Sequence, residues 1–192
     1  MRRRARHSRF AAHPPATKSA LPTAMAIVTD AESGMRAAPK ATIVQLRAPS
    51  LSTRETERQA LLLVASCPVP VLISSRCDLA LACNAAGVNL PERDIPTGDA
   101  RRLMGNRQVG RSVHSLAGAL EAERDGADFV IFGPVWSSTT HPDVAPVGLE
   151  ALSRVAASLR IPVLAIGGVS EDRAPECLAA GAAGYAAIRR FR

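Results

Sequence analysis

The stretch 161–170 (IPVLAIGGVS) constrains the fold more than any other part of this chain. A short apolar run rich in branched side chains stops at Gly167-Gly168, and a helix is expected to open at Ser170. A strand whose carboxyl end meets two glycines exposes bare backbone N–H groups. With no Cβ in the way, a phosphate oxygen approaches them closely. Residues 181–188 (GAAGYAAI) read as another turn followed by another buried strand. Paired glycine-ended strands near the carboxyl terminus match the phosphate site made by the last two strand-to-helix loops of an eight-stranded barrel. The plainer reading of the same glycines is a tight strand-to-helix turn needed for packing alone.

The rest of the chain alternates in the same way. Residues 24–29 and 41–47 read as the first two strands, and Gly34 and Pro39 between them predict a first helix that is stunted or absent. Ser52-Thr53-Arg54-Glu55 is a capping box that starts a helix with Ala60, Leu61, Val64 and Ala65 on one face. Further strands are expected at 70–74, 87–90, 108–112, 128–133, 162–166 and 184–188, with helices over 77–85, 99–104, 116–124, 149–159 and 171–180. Eight strands separated by helices and short loops predict an α/β protein, a compact (β/α)₈ TIM barrel. The sequence ends at Arg192, soon after the eighth strand, so the last outer helix is expected to be missing. A homodimer partner is then one way to cover the face of strands eight and one.

Composition narrows the class. The chain is 47% hydrophobic but only 3% aromatic, which suits the Ala, Val, Leu and Ile core of a parallel sheet buried on both faces. The net charge of +7 invites a nucleic-acid reading, but its placement opposes one. Residues 1–20 hold six of the 24 basic residues and no acid, leaving 18 basic against 17 acidic residues elsewhere. A basic, disordered tail over 1–20 followed by one barrel domain over 21–192 is therefore expected, with no nucleic-acid partner for the body. No run approaches the length of a membrane span, and no secretory signal is present. Cys67, Cys77, Cys83 and Cys177 show neither a C-x-x-C pair nor zinc spacing, so buried free thiols in a reducing cytoplasm are expected.

The residues at the carboxyl ends of these strands carry a family pattern. Val44-Gln45-Leu46-Arg47, Gly87-Val88-Asn89-Leu90, Asp94-Ile95-Pro96, GRSVHS over 110–115, Gly133-Pro134-Val135, Gly148-Leu149 and AIGGV over 165–169 follow in order. From about residue 22 to its end the chain resembles the thiamine phosphate synthase/TenI family. That resemblance implies a (β/α)₈ barrel. It also implies small-molecule substrates: a thiazole phosphate, joined in the synthase branch to a hydroxymethylpyrimidine pyrophosphate with Mg²⁺. A second branch contains thiazole tautomerases that bind the same thiazole phosphate.

The resemblance carries roles over position by position. Gln45 and Arg47 match the synthase Q-x-R-x-K pattern, with Arg47 meeting pyrophosphate and Pro49 standing in the lysine position. Ser74-Ser75 replaces an Asn-Asp pair that would hold pyrimidine and metal, and Asp94 matches the remaining metal-binding acid. Ser112 lies in the substrate-facing GRSVHS segment. Ser138 and Thr140 match substrate-facing hydroxyls, and His141 replaces a lysine. Gly167 and Gly168 match the thiazole phosphate site, and Arg189 stands where a serine is expected after strand eight. Asn89-Leu90-Pro91 and residues 110–115 look like the tautomerase branch, whose proton-shuttling histidine position is Pro134 here. His114 and His141 are then the candidate catalytic histidines, because imidazole suits proton transfer near neutral pH. The implied activity is a transferase of thiamine biosynthesis, with a thiazole tautomerase or a non-catalytic thiazole or thiamine phosphate-binding protein as alternatives.

Overall fold

The computed structural model describes residues 21–137 and 144–191. Eight parallel strands close into a barrel in sequence order: β1 (Ala24–Val28), β2 (Ile43–Leu46), β3 (Val71–Ser74), β4 (Gly87–Leu90), β5 (Gln108–Val113), β6 (Phe129–Phe132), β7 (Val163–Ala165) and β8 (Gly184–Ala187). The ring is sealed by the pairing of β1 with β8, Met25 against Ala186. Seven helices follow the first seven strands among the described residues: α1 (Ala31–Ala37), α2 (Thr53–Ser66), α3 (Cys77–Ala82), α4 (Thr97–Met104), α5 (Leu116–Arg124), α6 (Gly148–Ser158) and α7 (Ala174–Ala179). None of them is long and apolar enough to cross a membrane.

The period of two along each strand divides the core. Met25, Ile27, Ile43, Leu72, Phe129, Ile131, Leu164 and Ala186 fill the barrel interior. Their neighbours, such as Ala26, Val44, Ile73 and Val88, face the helices. Phe129 lies across the barrel floor, and Gly110 makes room for it: a Cβ there would come within 2.2 Å of the Phe129 ring.

Local details depart from the sequence reading, although the first helix is stunted, as its sequence implies, at seven residues. Asp30 caps it by accepting from the Ser33 N–H at 2.7 Å, and Pro39 falls in the 3₁₀ turn (Ala38–Lys40) that follows. Gly34 lies inside α1 because a side chain there would strike Leu63 of α2. On α2 the buried residues are Ala60 and Leu63, whereas Leu61 is exposed. The capping box is one-sided. Ser52 Oγ accepts from Glu55 N–H at 3.3 Å, but the Glu55 carboxylate turns to Arg58 and Gln59. The Arg58 guanidinium, with Gln59, brings the Glu55 carboxyl down to about 2.

No helix follows β8 among the described residues. The outer face there is covered by Tyr185 and the buried ring of Phe191, stacked with centroids 6.1 Å apart. The four cysteines are free thiols, Cys77, Cys83 and Cys177 buried and Cys67 half-buried. Burial pushes the Cys177 thiol up to about 11, which makes it inert.

Candidate functional site

A cavity of about 540 Å³ opens at the carboxyl mouth of the barrel. Its position follows from the strand period: the inward residue at the end of each strand becomes part of the wall. Ile27, Ile131, Ile166 and Ala186 supply apolar surface, while Gln45, Ser74, Asn89 and Ser112 supply polar groups.

Most of the residues singled out from sequence come together there. Gln45, Arg47, Ser112, His114, Gly167, Gly168 and Arg189 all line the cavity. Ser138, Thr140 and His141 lie outside the described residues, as does the tail over 1–20. Arg47 after β2 and Arg189 after β8 flank β1, and neither has an ion-pair partner among the described residues. Two arginines without an ion-pair partner among the described residues therefore line one cavity, and a guanidinium favours phosphate or carboxylate oxygens.

The loop after β7 has two successive glycines in left-handed backbone. Gly167 and Gly168 have φ of +91° and +66°, and a Cβ on Gly168 would press on Trp136 at 2.8 Å. The N–H groups of Gly167, Gly168 and Val169 have no acceptor among the described residues. Successive outward N–H groups in such a conformation bind anions. The helix expected to open at Ser170 begins only at Ala174, so the intervening backbone is free to shape this concavity.

On the opposite wall, His114 Nδ1 hydrogen-bonds the carbonyl oxygen of Gly133. Asn89 Nδ2 donates to Ser112 Oγ at 3.1 Å. The amide oxygens Oε1 of Gln45 and Oδ1 of Asn89 are buried without a donor among the described residues. Pro134, in the position where the tautomerase branch has its histidine, lines the cavity and brings no titratable group.

Among the described residues the acidic side chains do not converge on a magnesium position. Asp94 is absent from the cavity wall, and its Oδ1 accepts from the Ile95 N–H at 2.7 Å. Arg111 pins the same loop through the carbonyls of Glu92 and Ile95, at 2.8 and 2.7 Å. Asp78 is held by the fork of Arg76 at 2.8 and 2.6 Å, and that hydrogen bonding keeps its carboxyl below the usual range. Ser74 offers a hydroxyl where Mg²⁺ prefers carboxylate. Among the described residues no three His, Cys, Asp or Glu side chains converge on a metal position.

Residues that sequence reasoning passed over also matter. Glu92 and Val144 line the mouth, and Arg173 and Arg190 lie behind the loop after β7. The apolar cavity residues were visible as strand residues but not as cavity wall, because periodicity does not say how deep in a barrel a residue lies.

Comparison with known proteins agrees with this architecture. The family described as thiamine monophosphate synthase matches residues 20–191. A thiamine-phosphate synthase from Chloroflexus aurantiacus is 42% identical over 152 residues, covering 77% of this chain and 70% of that one. A thiamine-phosphate synthase from Pyrococcus furiosus is 40% identical over 154 residues, covering 77% and 73%. Among solved structures, thiamine phosphate pyrophosphorylase from Pyrococcus furiosus superposes with a TM-score of 0.79 at 35% identity, over 86% of this chain and 85% of that one. FabK from Thermotoga maritima, at 18% identity and a TM-score of 0.76 over 88% of this chain and 58% of that one, shares the fold alone.

Proposed function

Because the chain belongs to the thiamine monophosphate synthase family, we propose that its barrel mouth binds a thiazole phosphate and joins it to a hydroxymethylpyrimidine pyrophosphate. The observation that carries this reading is the pair of unpartnered arginines, Arg47 and Arg189, on one cavity beside the Gly167–Gly168 nest. One phosphate needs a single anchor, and two separate cations suit two anionic substrates.

In this reading the nest and Arg189 take the thiazole phosphate, and Arg47 takes the pyrophosphate. The thiazole nitrogen forms a bond to the pyrimidine methylene carbon as that carbon's bond to pyrophosphate oxygen breaks. Pyrophosphate departs with the electron pair, and Arg47 stabilises its growing charge. Ile27, Ile131 and Ile166 exclude water from the electron-poor carbon. Gln45 and Asn89 orient the heterocycles. In family members Mg²⁺ would assist the leaving group, whereas the described donors of this chain gather no site that fits it. The free thiols suit a reducing compartment, the cytoplasm.

A second reading has one observation behind it. His114 is anchored through Nδ1, which leaves Nε2 available for a proton as a thiazole tautomerase requires.

The deciding experiment is thiamine phosphate formation from the two substrates, with and without Mg²⁺, alongside titration of thiazole phosphate. Turnover that Arg47→Ala abolishes is the expected result. Binding without turnover moves the assignment to the tautomerase reading, tested next with the thiazole carboxylate tautomer. Neither binding nor turnover would overturn both.

A further inference from the structure

The unpartnered N–H groups of the loop after β7 extend beyond its glycines: Gly167, Gly168, Val169, Ser170 and Glu171 all lack an acceptor among the described residues. Four of the five preceding carbonyls, those of Ile166, Gly167, Gly168 and Ser170, are held by a donor. In a trans peptide the N–H points opposite to the preceding C=O, so a tethered carbonyl fixes the direction of the next N–H.

The carbonyls are tethered in two ways. Main-chain groups hold the first two: Val135 N–H donates to Ile166 O at 2.8 Å, and Trp136 N–H to Gly167 O at 3.1 Å. Side chains hold the later ones. Arg173 Nη1 donates to Gly168 O at 3.1 Å, and Arg190 Nη1 donates to Ser170 O at 2.8 Å. The Ala174 N–H also reaches Ser170 O, at 3.1 Å.

The two arginines repeat one arrangement. The Arg173 guanidinium lies 5.1 Å from the centroid of Trp136, and that of Arg190 lies 4.6 Å from the centroid of Tyr185. Each is therefore braced on an aromatic face, donates to one loop carbonyl, and forms no ion pair among the described residues. Neither lines the cavity. Such stacking restricts a long side chain and keeps its fork aimed. The tether matters at the Gly168–Val169 peptide, because positive-φ glycines precede it and glycine barely resists reorientation. A flip there would turn a carbonyl toward the anion.

We infer that Arg173 and Arg190 are positioning residues for the phosphate nest, acting from behind the loop by fixing the carbonyls of Gly168 and Ser170. This rests on the thiazole phosphate reading of the cavity. The aromatic rings of Trp136 and Tyr185 hold the two guanidiniums in place.

The test compares two probes, thiazole phosphate and the same hydroxyethyl thiazole without its phosphate, on wild type, Arg173→Ala, Arg190→Ala and Arg173→Lys, at several salt concentrations. Each alanine variant is expected to lose roughly tenfold in affinity for the phosphate ester, as one charge-assisted hydrogen bond would give. Affinity for the phosphate-free thiazole should stay unchanged. Arg173→Lys, which keeps a donor over the ring, should recover part of the loss. A loss that persists at high salt supports positioning. A loss that salt erases marks long-range charge alone and overturns the inference. An equal loss for both probes, or no loss, also overturns it. Wild type that fails to bind the phosphate ester removes the thiazole reading itself, and the inference with it.

Discussion

His114 Nδ1 and the carbonyl oxygen of Gly133 are hydrogen-bonded across the ends of β5 and β6. A carbonyl only accepts, so Nδ1 carries the proton and Nε2 of the neutral ring is left with a lone pair. His114→Asn keeps a donor near the Nδ1 position and removes the base. If His114 moves a proton in tautomerisation, this variant loses about 10²-fold or more in kcat while KM stays put. A change in KM alone would assign His114 to binding.

Arg47 and Arg189 should separate by substrate. Arg47→Ala is expected to lower kcat/KM for the pyrimidine pyrophosphate by about 10²-fold, the scale of one lost transition-state donor. Arg189→Ala should instead raise KM for the thiazole phosphate. Steady-state kinetics with each substrate varied in turn reads both effects, and identical behaviour of the two variants would refute separate anchors.

Stability at the far end of the barrel rests on Arg101. Its guanidinium donates to the carbonyls of Gly126, Gly105 and Arg107 and pairs with Asp128, which also accepts from the Val109 N–H. Arg101→Ala removes the bonds that tie the Gly105, Gly126 and Arg107 carbonyls to Asp128, and should cost about 3 kcal/mol in urea unfolding. Arg101→Lys recovers little, because an ammonium does not reproduce the fork.

Asp30 gives the fold a dependence on acid. The Ser33 N–H holds its carboxyl below the ordinary value of 3.8. A depressed folded-state value means that the cap's contribution is complete above the unfolded value and is lost as pH falls through the folded one. Asp30→Ala should cost about 1 kcal/mol at pH 7. The gap to wild type should narrow below about pH 4. Asp30→Asn should keep most of the cap and remove its pH dependence. Thermal melts of the three proteins between pH 3 and 7 check this.

Sequence was most legible where one force dominated. The strand over 87–90 was placed to the residue because its apolar run is bounded on both sides. Arg47, Gln45, Gly167 and Gly168 converge because strand ends in a parallel barrel share one mouth. Elsewhere tertiary contact overrode local preference. Gly34 reads as a helix breaker but marks the close approach of Leu63. Leu61 gave way to Leu63 as the buried residue of α2, since its neighbours set which stripe is covered. Asp94 sits at the matching place in the chain, but the bond from the Ile95 N–H to its Oδ1 is set by how the loop folds. Arg173 and Arg190 act on carbonyls, and a carbonyl leaves no trace in the sequence.

The two donor-less amide oxygens on the cavity wall have a further consequence. Gln45 is 2% exposed and its Oε1 meets no donor among the described residues, an omission that costs a folded protein roughly 1–3 kcal/mol. Gln45→Met fills nearly the same space without the unmet acceptor, so it should melt at a higher temperature than wild type while holding its heterocycle less well. Selection for heat tolerance would therefore favour loss of this amide, the group proposed to orient a heterocycle.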